Sequence, residues 1–151
     1  MRIAIDACVL VGLINPRDLW HAQAKNLIDA LGAADFTPMN FDCAVTEAAS
    51  VLVRRLHEKG YSVEAAKTLE QLNTHIPPRQ IIWILPDVPR LYRHALELMR
   101  DSSGELNFND ALIALACRER ELPAIASFDT DFDQVPWLKR IATPEDVLGA
   151  E

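Results

Sequence analysis

The sequence predicts an α/β domain built on a central, mostly parallel β-sheet. Two observations carry this. Short β-rich or continuously apolar runs alternate with longer segments of helical periodicity, in the order β-α-α-β-α-α-β-α-α-β. The chain also has 151 residues, half of them hydrophobic, which suits one folded domain (1–151) with a real core.

RIAID (2–6) is a β-rich run ending in an aspartate, and a helix should follow it soon. A clearer helix runs from about Asp18 to Gly32, with Leu19, Ala22, Leu27, Ala30 and Leu31 at helical spacing. FTPM (36–39) reads as a short strand. Residues 42–59 repeat apolar positions Val45, Ala49, Leu52 and Leu56 on one helical face, and Gly60 ends that helix. Ser62 is placed to cap the next helix, which runs to about Asn73. IIWIL (81–85) is a continuous apolar run of buried-strand type, stopped by Pro86. Asp87 then caps a helix to about Arg100, and DSSG (101–104) is a loop. Asn107 starts the helix ALIALACRERE, which halts before Pro123, and AIAS (124–127) is the next strand. Thr143-Pro144 opens a final helix with proline at its first position.

The totals narrow the function. No run is long and apolar enough to span a membrane, because Asp6 interrupts IAIDACVLVGLI, and no signal-peptide pattern stands at the start. The expectation is therefore a cytoplasmic protein without membrane attachment. Three scattered cysteines (Cys8, Cys43, Cys117) in apolar contexts read as small core residues of a reducing compartment. The net charge of −7 makes the chain a poor non-specific binder of phosphate backbones. Its cations are eleven arginines and four lysines, and arginine is suited to bidentate phosphate or carboxylate recognition. Arg54, Arg55 and Arg100 are candidates for a substrate-binding wall. The four histidines form no H-E-x-x-H, and no G-x-S-x-G, Walker loop or G-x-G-x-x-G is present.

SFDTDFD (127–133) sets three aspartates at alternate positions. It is not an EF-hand loop: counted from Asp129, the required glycine and glutamate are Gln134 and Arg140. Parallel sheets bind ligands beyond the carboxyl ends of their strands. Asp6 ends the first strand and Asp129 follows AIAS, so both face that crevice. Glu47 and Asp110 sit on helices in apolar company, where an unpaired carboxylate costs several kcal/mol. Each acid also has an ordinary structural role open to it. Asp6 can cap a helix, Glu47 can be a solvated helix residue, Asp110 can sit at the third helical position after Asn107, and Asp129 can make an Asx turn.

Together the pieces IAIDACVL, TEAASVL, NDALIALA and SFDTDF resemble the PIN-domain ribonucleases, in particular the VapC-like toxins of bacterial toxin–antitoxin pairs. The resemblance covers essentially the whole chain. It places Asp6, Glu47, Asp110 and Asp129 at the family's four acidic positions, with Asp131 at a second acid and Ser127 at a Thr or Ser position. One residue departs: two positions after the first aspartate the family commonly has a hydroxyl or amide, and this chain has Cys8. The departure bears on a secondary hydrogen bond, not on the metal ligand. Asp133 is assigned no role and is expected to be solvated.

The resemblance implies hydrolysis of RNA phosphodiesters, assisted by Mg²⁺ or Mn²⁺ on those carboxylates. It also implies single-stranded or loop RNA as substrate, a homodimer, and a small antitoxin covering the site. The physics is consistent, since two carboxylates about 5 Å apart repel by roughly 3 kcal/mol at an effective dielectric near 20, and hard cations relieve this. A phosphatase of the dehalogenase type would need D-x-D at the first strand, and a response-regulator receiver would need an adjacent acid pair; both are missing. The alternative is an inactive PIN-fold module that binds protein or RNA.

Overall fold

A computed structural model describes residues 1–150. Five strands form one sheet in the order β3-β2-β1-β4-β5, and every neighbouring pair is parallel. They are β1 (Arg2–Ile5), β2 (Thr37–Phe41), β3 (Ile81–Ile82), β4 (Ala124–Ala126) and β5 (Lys139–Ile141). The helices are α1 (Ala7–Ile14), α2 (His21–Ala33), α3 (Asp42–Glu58), α4 (Ala65–His75), α5 (Val88–Asp101), α6 (Phe108–Glu119) and α7 (Pro144–Leu148).

Strand alternation divides the core into two faces. Ile3 and Ile5 of β1 and Ala124 and Ala126 of β4 join a cluster with residues of α1, α2, α3, α4 and α7. Ala4 and Ile125, one residue out of phase, join the opposite cluster with α6, Phe41 and Phe132. Helix α5 lies outside α6, packing Leu91 and Ala95 against Ala111, Leu112 and Leu115. On the first face α1 and α2 cross closely. A Cβ at Gly12 would stand 3.1 Å from Ala24 Cβ and 3.2 Å from the Trp20 carbonyl oxygen, so glycine is what lets the start of α2 approach.

Two strand expectations need correction. IIWIL does not run as a five-residue buried strand: only Ile81 and Ile82 pair, and Trp83 is exposed. The cause is Asp42, fully buried at the start of α3. Its Oδ2 accepts from the backbone N–H groups of Ile84 (3.0 Å) and Leu85 (2.9 Å), which takes them out of the ladder. The strand Lys139–Ile141 is a fifth that the sequence reading did not include. It is a short edge strand carrying two cations, a pattern that hides its strand character. The sheet is therefore wholly parallel.

Two helix starts also differ. Ser62 opens a single 3₁₀ turn (Ser62–Glu64) without a side-chain cap, and Asp87 makes no cap bond to α5. Asp87 instead lies 3.6 Å from Arg90 and 3.9 Å from Arg120. The Thr143 start is as expected, with a capping box to Asp146.

Candidate metal centre

The strand order reverses at β1: the chain leaves β1 toward β2 on one side, and β4 lies on the other. The carboxyl ends of β1 and β4 thus flank the crevice where parallel sheets hold ligands. The Asp6 N–H donates to Ala126 O at 3.0 Å, so the two strand ends are tied together at this point.

Asp6 is buried and both of its oxygens are engaged. Oδ1 accepts from the Ala7 N–H at 2.7 Å, capping α1. Oδ2 accepts from Ser127 Oγ at 2.7 Å and from Cys8 Sγ at 3.0 Å. Cys8 also accepts from the Phe128 N–H at 3.3 Å. The departure at position 8 therefore does not remove a hydrogen bond; the thiol supplies it. Cys8 is not the core spacer expected from its apolar context, unlike Cys43 and Cys117, which are buried in the core. Burial, then the Asp6 charge, pushes the Cys8 thiol up to about 12, so it stays protonated and can donate.

Asp110 stands in the first turn of α6. Its N–H donates to Asn107 Oδ1 at 2.9 Å, and its Oδ2 accepts from the Asn107 N–H at 3.0 Å, a complete capping box. Burial raises its carboxyl to about 7, and the charges of Asp6, Asp129 and Glu47 push it the same way. Asp6, Asp129 and Glu47 are thus each within electrostatic reach of Asp110. Burial likewise raises Asp6, with Asp129 adding to the shift.

Asp129 caps a 3₁₀ turn (Thr130–Gln134), its Oδ1 accepting from the Asp131 N–H at 2.9 Å. Its own N–H donates to Ser127 Oγ at 3.0 Å, so one hydroxyl links Asp129 to Asp6. Glu47 is half-buried on α3, and its Oε2 accepts from Asn109 Nδ2 of α6 at 3.2 Å. Asp131 is half-buried beside Asp129, and desolvation, then the Asp129 charge, raises its carboxyl. The ordinary roles open to Asp6, Asp110 and Asp129 are all realised, and the same bonds fix the carboxylates at the crevice.

The acids do not form a closed cage. Among the described residues no three His, Cys, Asp or Glu side chains are grouped to hold a metal ion as they stand. Among the described residues, no buried side-chain nitrogen or oxygen lacks a hydrogen-bond partner either. What suits a metal is the donor chemistry: carboxylate oxygens alone, mutually repelling, one of them raised to about 7. Hard divalent cations prefer such ligands and keep several waters.

Three neighbours were not legible as site residues. Asn107 and Asn109 hold Asp110 and Glu47 from the start of α6. Arg140 of β5 makes a bidentate pair with Asp133, at 2.8 and 3.0 Å, so Asp133 is not merely solvated. Of the arginines proposed for the wall, Arg55 lines a cavity with Glu47 and Cys8. Arg54 faces Glu58 at 3.9 Å and Arg100 pairs with Asp101 at 2.9 Å.

The PIN domain family model matches residues 3–138. The chain belongs to the PIN domain family. Its fold is also similar to that of a solved toxin from Mycobacterium tuberculosis, VapC20, described as a sarcin–ricin-loop-cleaving toxin. The TM-score is 0.66 and the identity 22%, over 89% of this chain and 95% of that one. No curated protein matches the sequence. No helix among the described residues of this PIN domain is long and apolar enough to cross a membrane.

Proposed function

We propose that this PIN domain is a ribonuclease that hydrolyses RNA phosphodiester bonds with Mg²⁺ or Mn²⁺, acting as the toxin of a toxin–antitoxin pair. The single observation that carries the reading is Asp110 in this PIN fold: a buried carboxyl, fixed by the Asn107 capping box at the start of α6 and facing the charges of Asp6, Asp129 and Glu47. Clusters of this kind are costly to a fold and occur where chemistry needs them.

Asp6, Glu47, Asp110 and Asp129 would hold the cation, with Asp131 at the rim. A bound Mg²⁺ or Mn²⁺ would neutralise these charges and lower the pKa of a coordinated water for attack on phosphorus. The protein's own part is positioning. Ser127 and Cys8 hold Asp6, and the Asn107 capping box holds Asp110. Asn109 holds Glu47, and the turn to Asp131 holds Asp129.

The solved toxin of like fold, described as cleaving the sarcin–ricin loop, supports RNA as the substrate class. A small antitoxin, a homodimer and a cytoplasmic setting belong to the same proposal and follow from the family resemblance alone. The test is cleavage of single-stranded RNA by the pure chain, with Mg²⁺ or Mn²⁺ and then with chelator. Cleavage with metal alone is expected. Tight RNA or protein binding with no cleavage in either ion would support the inactive binding module instead.

A further inference from the structure

Trp20 and Phe128 stack beside the acids, with ring centroids 4.9 Å apart and planes 14° from parallel. Phe128 directly precedes Asp129 and donates its N–H to Cys8. Trp20 is 41% exposed even though one face is covered, a large apolar surface for a soluble protein to leave open. It lines a cavity of about 190 Å³ with Cys8, Asp18, Glu47, Val51 and Arg55.

Asp18 builds this wall. Its side chain is only 4% exposed and serves two neighbours. Oδ1 accepts from the Trp20 N–H at 2.9 Å, and Oδ2 pairs with Arg55 Nη1. One buried carboxylate therefore sets both the aromatic and the guanidinium. The pair is close to neutral overall, so Arg55 contributes directed donors more than net charge. A guanidinium has five N–H groups, and its side chain here remains 42% exposed.

An open aromatic face next to directed arginine donors is the chemistry that takes one unpaired nucleotide. The base stacks without regard to its identity, and the adjoining phosphate accepts from the fork. We propose that Trp20 and Arg55 form a nucleotide subsite adjoining the carboxylates, in which Trp20 stacks an unpaired base of single-stranded RNA and Arg55 binds the neighbouring phosphate. This rests on the ribonuclease reading and adds where the strand lies: over the start of α2, on the Glu47 side of the crevice. It also makes the site favour flexible or looped RNA, because a paired base has no free face to offer.

The test is binding of a short, labelled, single-stranded oligoribonucleotide to the full chain, followed by anisotropy in chelator and again in Ca²⁺. An abasic strand of the same length is the control. Trp20→Leu keeps an apolar cover on Phe128 and removes the π face; Trp20→Phe keeps both. Trp20→Leu should weaken RNA binding about five- to a hundredfold, while Trp20→Phe stays near the parent. All three should bind the abasic strand alike. Arg55→Lys, which keeps the ion pair but loses the fork, should weaken both strands. Equal RNA affinity for Trp20→Leu and parent overturns the stacking assignment, as does failure of the parent to bind RNA. A Trp20→Leu protein that melts early and loses both strands equally assigns Trp20 to packing and also overturns it. The two readings separate cleanly. Trp20-dependent binding without metal-dependent cleavage leaves the subsite standing and removes the nuclease, and cleavage with Trp20-independent binding does the reverse.

Discussion

Asn107 and Asp110 exchange two hydrogen bonds across the first turn of α6, at 2.9 and 3.0 Å, and this exchange aims a buried carboxyl at the ends of β1 and β4. Asp110→Asn keeps an acceptor for the Asn107 N–H and removes one charge from a repelling group. Without metal it should be as stable as the parent or more so. The parent should gain about 2.7 kcal/mol from cation at a hundredfold excess over the dissociation constant, and the variant much less. Thermal melting across a Mn²⁺ titration reads both. An equal gain in the two proteins would remove Asp110 from the metal site.

Stability should depend on pH in an unusual direction for carboxylates. Asp110 is raised from 3.8 to about 7, and Asp6 is raised as well. Between the unfolded value and about 7 the folded chain binds more protons than the unfolded one, so stability falls as pH rises through that window. With chelator present, the urea midpoint should be higher near pH 5 than near pH 7.5. Saturating Mn²⁺ should flatten or reverse the trend. A chelated midpoint that rises from pH 5 to 7.5 contradicts the raised carboxyls.

The fold was legible where the pattern is local. Ile3 and Ile5 against Ala4 announce a strand with two buried faces, and Asp6 marks its end. Asn107 with Asp110, and Thr143 with Asp146, announce helix starts. What escaped depends on partners distant in sequence. Asp42 takes the N–H groups of Ile84 and Leu85, forty-two and forty-three residues away, and so cuts β3 short. Lys139–Ile141 becomes a strand only because β4 is there to pair with it. At the site, Asp6 was readable at a strand end, Asp129 just past one, and Glu47 and Asp110 on helices. Their supports were not: Cys8 against Asp6 is a local bond, but its link to Ser127 spans 119 residues.

Cys8 provides the next test, since its thiol donates to Asp6 Oδ2 at 3.0 Å. Cys8→Ser retains a donor of similar size and should keep activity within a few-fold of the parent. Cys8→Ala removes it, leaves the Phe128 N–H without its acceptor, and should cost about 1–3 kcal/mol in stability. Its cleavage rate should fall further than that of the serine variant. Identical rates and melting for Ala and Ser would show that the thiol only fills space.

Asp42, whose oxygens are engaged by the Cys43, Ile84 and Leu85 N–H groups, separates fold from chemistry. Asp42→Asn should cost about 1.5–3 kcal/mol, because charge-assisted bonds to Ile84 and Leu85 are lost and an amide N–H can face their donors. Below its melting temperature the variant should still bind metal like the parent. A normal urea midpoint would contradict the account of why β3 is short.

The central claim is that acids from β1, α3, α6 and the β4 turn converge on a divalent cation. Anomalous diffraction from crystals soaked in Mn²⁺ tests it most directly. The predicted result is a peak in the crevice with oxygens of Asp6, Asp110 and Asp129 around it and Glu47 turned toward it. A crevice without a peak, at a Mn²⁺ concentration that supports RNA cleavage, would contradict it.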